Sequence, residues 1–223
     1  MIQYGHKNWL TGETIALPVG KAVCIGRNYS EHIKELGNKP SADPLLFIKH
    51  QNTFCDADKT ITVPERLGVC HHELELAILI GAPLSHGATA VVDSIWGYGL
   101  ALDLTLRDIQ SKLKEAGQPW EKAKSFDGAC PLTPFVPAAH FKSGEPFEFE
   151  LIKNGATAQV GSSDDMLFSI QQLLEAILEY FTLMPGDMVL TGTPAGVSAL
   201  NHDDQLQLVL QKKWQLDTQV RRP

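Results

Sequence analysis

Glu73-Leu-Glu-Leu-Ala-Ile-Leu-Ile80 is an apolar run broken twice by a carboxylate, at positions separated by a single leucine. Eight residues this rich in Leu and Ile read as a β-strand passing through the interior. Side chains alternate across a strand, so Glu73 and Glu75 project from the same face. Two like charges side by side on a buried strand are costly unless positive charge lies between them. A divalent metal ion is the simplest such charge.

The segment Gly97 to Leu106 reads as a second long strand. One face carries Tyr98, Leu100, Leu102, Leu104 and Leu106; the other carries Gly97, Gly99, Ala101, Asp103 and Thr105. Glycines within a strand mark a close approach by another backbone or by a ligand, so the small-residue face predicts a pocket floor ending at Asp103. Glu73, Glu75 and Asp103 together would offer three oxygen ligands and leave positions for water or substrate. Such a set favours Mg²⁺ or Mn²⁺, with Ca²⁺ as a possible substitute, over zinc. The competing reading is that each carboxylate meets a Lys or Arg at the sheet edge. Cys70-His71-His72 beside them is not an H-E-x-x-H zinc motif, and only His71 shares the face of the glutamates.

The surrounding chain sets the context. Its 223 residues suffice for one large domain, expected as a single catalytic unit with a short N-terminal β segment at about 1–20 and a core at about 21–220. A net charge of −7 argues against nucleic-acid or acidic-membrane partners and means that an anionic substrate needs local help from a metal, Lys or Arg. The polar start, Met1 to Trp9, lacks the apolar core of a signal peptide, and Leu74–Leu84 is too short to span a bilayer. Four scattered cysteines without a C-x-x-C pair fit reduced thiols and a cytoplasmic location.

Strands are expected at Lys21–Gly26, Leu45–Lys49, Met188–Thr191, Gln205–Leu210 and Trp214–Val220. Phe147–Lys153 should enter a hairpin at Asn154-Gly155. Helices are expected near Ser30–Leu36, from about Asp108 to Ala116, and over Leu167–Phe181 from its apolar spacing. Strands cluster without regular alternation with helices, so the class is α+β rather than doubly wound.

Further chemistry-bearing residues follow. Gly26-Arg27-Asn28-Tyr29 precedes His32 and Glu35, which are neighbours on a helix; a carboxylate-held imidazole can serve as a general base. Thr191-Gly-Thr-Pro-Ala-Gly196 is a Gly/Pro loop able to offer hydroxyl and backbone N–H groups to a carboxylate. Arg107, Gln110 and Lys124 are unremarkable alone.

Five segments occur in order: Gly26-Arg-Asn-Tyr29 with His32 and Glu35, His71-His-Glu-Leu-Glu-Leu76, Ala101-Leu-Asp-Leu-Thr-Leu-Arg-Asp108, Ala123-Lys-Ser-Phe126 and Leu190-Thr-Gly-Thr-Pro194. Together they resemble the fumarylacetoacetate hydrolase family, in its short single-domain acylpyruvase branch. The resemblance implies a mixed β-roll or β-sandwich with flanking helices, a homodimer, and a Mg²⁺- or Mn²⁺-dependent site. It implies metal ligands at Glu73, Glu75 and Asp103, and a water-activating dyad of His32 and Glu35 on a mobile lid segment. It implies Lys124 as a catalytic group, with Arg27, Tyr29, Arg107, Gln110 and Thr193 contacting a small anionic keto acid. The implied reaction is hydrolysis of an acylpyruvate, such as fumarylpyruvate or acetylpyruvate, to pyruvate and a carboxylic acid. Decarboxylation or keto–enol tautomerisation of oxaloacetate, and isomerisation of a 2-oxo-alkenedioate, are the alternatives on the same site.

Overall fold

A computed structural model describes residues 4–35, 37, 42–89 and 91–223. In chain order the strands begin with β1 (Ala22–Gly26), β2 (Leu45–Lys49), β3 (Phe54–Asp56), β4 (Ile61–Thr62), β5 (Cys70–His72), β6 (Leu74–Ile80), β7 (Ile95–Leu102) and β8 (Thr105–Leu106). They continue with β9 (Cys130–Leu132), β10 (Val136–Pro137), β11 (Glu148–Lys153), β12 (Ala156–Ser162), β13 (Met188–Leu190), β14 (Ser198–Ala199), β15 (Gln205–Leu210) and β16 (Trp214–Arg221). The helices are α1 (Ser30–Glu35), α2 (Arg107–Glu115), α3 (Glu121–Lys124) and α4 (Ile170–Leu178).

The largest sheet runs β2-β1-β13-β6-β7-β9-β3, with β10 joined to β7. It is mixed: β1 and β13 are parallel, as are β3 and β9, and the remaining pairs are antiparallel. A second sheet runs β12-β11-β15-β16-β4, and β14-β5-β8 form a third. This is the α+β class that the clustered strands predict, in the sandwich-like arrangement that the resemblance implies.

Strand β6 explains the division of the interior. It is buried along its whole length because β13 and β7 cover both edges and packed side chains cover both faces. Leu74, Leu76, Ile78 and Ile80 enter the main core, with Phe149, Leu151 and Leu208 of the second sheet and Leu173, Leu174 and Ile177 of α4. Ala77 and Leu79, on the face shared with Glu75, join a smaller core with Ala101, Cys130 and Phe135. The carboxylates therefore stand on the smaller-core side.

Two turns show local chemistry prevailing. Asn154 and Gly155 both have positive φ, 53° and 79°, as the hairpin between β11 and β12 demands. Helix α4 starts at Ile170, later than the apolar spacing alone suggests, because Ser169 and Gln172 form a capping box. Leu167 and Phe168 instead form a bend held outside the helix by Asn28: its carbonyl accepts from Leu167 N, and its side-chain oxygen accepts from Phe168 N at 2.9 Å. The α4 helix also stops at Leu178, short of Phe181. Helix α1 is described to Glu35; Leu36 lies outside the described residues, as do positions 1–3 of the N-terminal segment. Among its described residues that segment makes only single bridges, Lys7 with Thr14 and Asn8 with Phe135.

The strand expected over Gly97 to Leu106 is broken. β7 ends at Leu102, and Thr105–Leu106 pairs with β5 in the third sheet. The Thr105 hydroxyl donates to the Asp103 carbonyl at 3.0 Å, a local bond that turns the chain out of the ladder. The small-residue face also differs from its expected use as a pocket floor. A Cβ at Gly97 would overlap the Val136 carbonyl, and one at Gly99 would lie 2.9 Å from the Pro134 carbonyl. The glycines admit another backbone, and the open space begins only beyond them, at Asp103. Gly97→Ala is therefore expected to destabilise the protein by about 1–3 kcal/mol, since main chain must move, as denaturant midpoints would show; an unchanged midpoint would contradict the close approach.

Candidate active site

Register brings the three carboxylates together. Leu74 pairs with Leu102 and Glu75 with Ala101, so Asp103, one residue past β7, stands beside Glu73 and its N–H donates to the Glu73 carbonyl at 2.8 Å. One oxygen from each of Glu73, Glu75 and Asp103 lies within 4.8 Å of the others, and all three residues are buried.

Cations crowd this cluster. Lys124 Nζ, at the end of α3, is 2.7 Å from Glu73 Oε2 and 2.5 Å from Asp103 Oδ2. Arg107, at the start of α2, pairs with Glu73 Oε1 and donates to Gln110 Oε1 at 2.7 Å. Lys49, fully buried on β2, lies 2.9 Å from Asp103 Oδ1 and also donates to the carbonyls of Lys124 and Ala129. The edge-cation reading is thus realised for two of the three acids. Burial alone would raise the Glu73 carboxyl, but Lys124 and Arg107 outweigh it and hold it well below the usual carboxylate range. Burial would likewise lower Lys124, yet Asp103 and Glu73 keep its ammonium charged above the ordinary lysine value.

Glu75 is the exception. Its Oε2 accepts from Gly192 N at 2.7 Å, and among the described residues no Lys, Arg or His pairs with it. Burial, then Asp103 and Glu73, push its carboxyl well above the usual range. Asp103 Oδ1 is buried with no hydrogen-bond donor aligned to it among the described residues, because Lys49 is near in charge but directs hydrogens at carbonyls. An unpaired buried carboxylate and an orphaned carboxylate oxygen in one all-oxygen cluster fit a hard divalent cation.

The His32–Glu35 pair is assembled as its spacing predicts. His32 Nδ1 is 3.1 Å from Glu35 Oε2, and Glu35 Oε1 accepts from Gly196 N at 3.0 Å. His32, Arg27, Gln110, Lys114, Lys124, Thr193 and the three acids line one cleft with Leu45, Phe47 and Trp120, whose free volume is about 40 Å³. Arg27 enters it from a left-handed backbone, φ 65°, a conformation costly for a side chain of this size. Lys114 is lowered from its ordinary value, first by burial and then by Arg27 and Arg107, so these cations are close neighbours.

Two sequence expectations are corrected. Tyr29 does not reach the cleft: it packs edge-on against Phe149 in the main core, its hydroxyl buried without a partner among the described residues. Its position one residue after Asn28, which is tied to the 167–168 segment, turns the ring inward. Thr193 lines the cleft, but its hydroxyl donates its one hydrogen to the Leu74 carbonyl at 2.8 Å, which leaves none to donate to an acid. His71 lies behind the site, 3.4 Å from Arg107 Nε, while His72 bonds Gln159 and Ser198 and is pushed down to about 4 by burial.

Sequence reasoning gave no role to Lys49, Lys114 or Gln159. A lysine closing the apolar strand Leu45–Lys49 was a usable signal for the first. Nothing in the pattern around Gln159 marks it.

Known proteins share this sequence pattern and fold. The model of the fumarylacetoacetate (FAA) hydrolase C-terminal family matches residues 21–221. The oxaloacetate tautomerase YcgM of Escherichia coli K12 is 48% identical over 206 residues, covering 91% of this chain and 93% of that protein. A crystal structure from Yersinia pestis CO92 superposes with a TM-score of 0.94 at 44% identity, covering 97% of this chain and all (100%) of that one. The fumarylpyruvate hydrolase of Pseudomonas aeruginosa, solved with Mn²⁺ and pyruvate, superposes at 0.90 with 28% identity, covering 100% and 97%. With its buried acids, its dyad and this match along nearly its whole length, the chain belongs to the fumarylacetoacetate hydrolase family.

Proposed function

We propose that this chain is a divalent-metal-dependent enzyme that interconverts the enol and keto forms of oxaloacetate. The observation that carries the choice of reaction is the 48% identity to an oxaloacetate tautomerase across nine-tenths of both chains (91% and 93%). The site's electrostatics support the substrate class. Three acids face Lys49, Lys124 and Arg107, so the cluster is near neutral by itself. A divalent ion on Glu73, Glu75 and Asp103 leaves it positive, with Arg27 and Lys114 adding charge in the cleft, which suits a doubly charged acid.

Glu73, Glu75 and Asp103 would hold the metal, which would supply Lewis-acid chemistry beside the substrate's 2-oxo group. The chain's residues handle the protons. Glu35 takes the His32 Nδ1 hydrogen bond, which leaves Nε2 as the ring nitrogen free to act as a base. In ketonisation the C2 hydroxyl gives its proton to solvent water while protonated His32 delivers one to C3; in the reverse direction His32 takes the C3 proton and water supplies one to the C2 oxygen. Lys124, charged and buried, donates to the oxygen at C2 as negative charge gathers on it. Arg27 and Lys114 hold the carboxylates.

The assembled His32–Glu35 dyad favours one second reading, water activation for acylpyruvate hydrolysis, as in the fumarylpyruvate hydrolase neighbour's named activity. One experiment separates the two. With Mg²⁺ or Mn²⁺ present, the ultraviolet decay of enol-oxaloacetate is followed beside pyruvate release from acetylpyruvate and fumarylpyruvate. Accelerated ketonisation, lost in His32→Ala, is expected, with little or no pyruvate from the acylpyruvates. Pyruvate from acylpyruvates without any effect on ketonisation would overturn tautomerisation in favour of hydrolysis.

A further inference from the structure

The geometry points to Gln159 as the residue that positions the Glu73/Glu75 pair. It sits on β12, in the second sheet, and its side chain is only 1% exposed. All four of its amide hydrogen-bonding positions are used. Oε1 accepts from Leu74 N at 2.9 Å and faces His72 Nδ1 at 2.9 Å; Nε2 donates to Thr193 Oγ1 at 2.8 Å and to the Pro194 carbonyl at 2.9 Å.

The importance of these bonds lies in where β13 stops. Leu190 pairs with Ala77, and beyond that point β6 has no neighbouring strand on this edge. Side chains take over the ladder. Thr191 donates to the Leu76 carbonyl through both N–H and Oγ1, at 3.1 Å each. Thr193 Oγ1 donates to the Leu74 carbonyl, and Gln159 accepts from Leu74 N. Leu74 is the residue between the two glutamates. Its N–H belongs to the peptide that leaves Glu73, and its carbonyl to the peptide that enters Glu75. Gln159 and Thr193, bonded to each other, therefore clamp both peptide planes that set how one carboxylate is rotated against the next.

The same bracket reaches the dyad. The 191–196 loop packs on β12, where a Cβ at Gly196 would overlap the Ala158 carbonyl. Gly196 N in turn holds Glu35, and Gly192 N holds Glu75. A strand that contributes no side chain to the cleft thus fixes acids and dyad from behind. Outer partners that orient ligands of this kind are worth about 10–100-fold in metal affinity.

This inference rests on Glu73, Glu75 and Asp103 holding a divalent ion, not on which reaction follows. The test is Mn²⁺ titration of the purified metal-free chain, with free Mn²⁺ read by its electron paramagnetic resonance signal well below the melting temperature. Gln159→Met, close in length but without polar atoms, is expected to weaken Mn²⁺ binding by about 10–100-fold. Thr193→Val should do the same and Thr193→Ser should not, because serine keeps the bridging oxygen. The double variant Gln159→Met/Thr193→Val should bind no more weakly than the poorer single variant within about twofold, since both break one linkage. Wild-type affinity in Gln159→Met overturns the positioning role. If that variant does not fold, Thr193→Val against Thr193→Ser decides, and equal affinity in those two overturns it. Absence of Mn²⁺ binding by the wild-type chain overturns the metal site itself and is read separately.

Discussion

Replacing Glu75 with Gln is expected to abolish metal-dependent turnover while raising the melting temperature of the metal-free protein. The two effects have one cause. Glu75 is buried against Glu73 and Asp103, with a single backbone donor and no paired cation among the described residues, so its charge is unfavourable unless a metal is present. The amide keeps an oxygen for Gly192 N and removes the charge. Loss of one ligand from a three-acid set forfeits several kcal/mol of transition-state stabilisation, about 10³-fold or more in kcat/KM. Relief of about 1 kcal/mol of repulsion lifts Tm by roughly 2–4 °C in a chain of this size. The pH dependence has a definite sign. A carboxyl raised in the folded state binds a proton there that the unfolded chain has released. Metal-free stability therefore falls as pH rises above the unfolded value of about 4.3, until the folded group has also ionised. In Glu75→Gln that part of the slope disappears. Retained activity, or an unaltered slope of metal-free Tm against pH, would contradict this account of Glu75.

Lys49→Met is expected to be the most destabilising single change near the site. Lys49 is buried completely, and it holds the Lys124 and Ala129 carbonyls besides facing Asp103. Removing Lys49 leaves Lys124 as the one ion-pair partner of Asp103 among the described residues, and a buried charge that loses a partner costs about 3–5 kcal/mol. At roughly 2–4 °C per kcal/mol this is a fall in Tm of about 10 °C. Calorimetry at neutral pH, with and without Mn²⁺, checks both the size and the cause. Added Mn²⁺ should recover part of the loss, because it supplies charge beside Asp103. A drop of under about 1 kcal/mol, the scale of an exposed pair, would show that Lys49 is solvated in practice.

Much of the centre was legible because a strand's period of two is rigid. Two glutamates on either side of one leucine must share a face, and the apolar run around them must be interior. Asp103 was legible for a partly mistaken reason. The small-residue face was identified correctly, but it holds main chain from residues 133–137 and not substrate. The His32–Glu35 contact follows from helical spacing, whereas the inward turn of Tyr29 depends on Asn28 binding a segment 140 positions away. The Thr193 hydroxyl was assigned to substrate because the sequence does not reveal that β13 ends before β6 does. Lys49, Lys114 and Gln159 were missed for a related reason. Their roles arise from strands and helices meeting at long range, which periodicity does not encode.

The lining of the cleft has a consequence for how the substrate range of this scaffold can change. Most of its side chains are acids, cations and the His32 imidazole, which cannot be exchanged without loss of the chemistry. Room for a longer acid must come from the lip where Leu45 and the neighbouring rings of Phe47 and Trp120, 5.9 Å apart, border the cleft. Selectivity is thereby concentrated in a few replaceable side chains on one rim, and chemistry and choice of substrate can diverge independently.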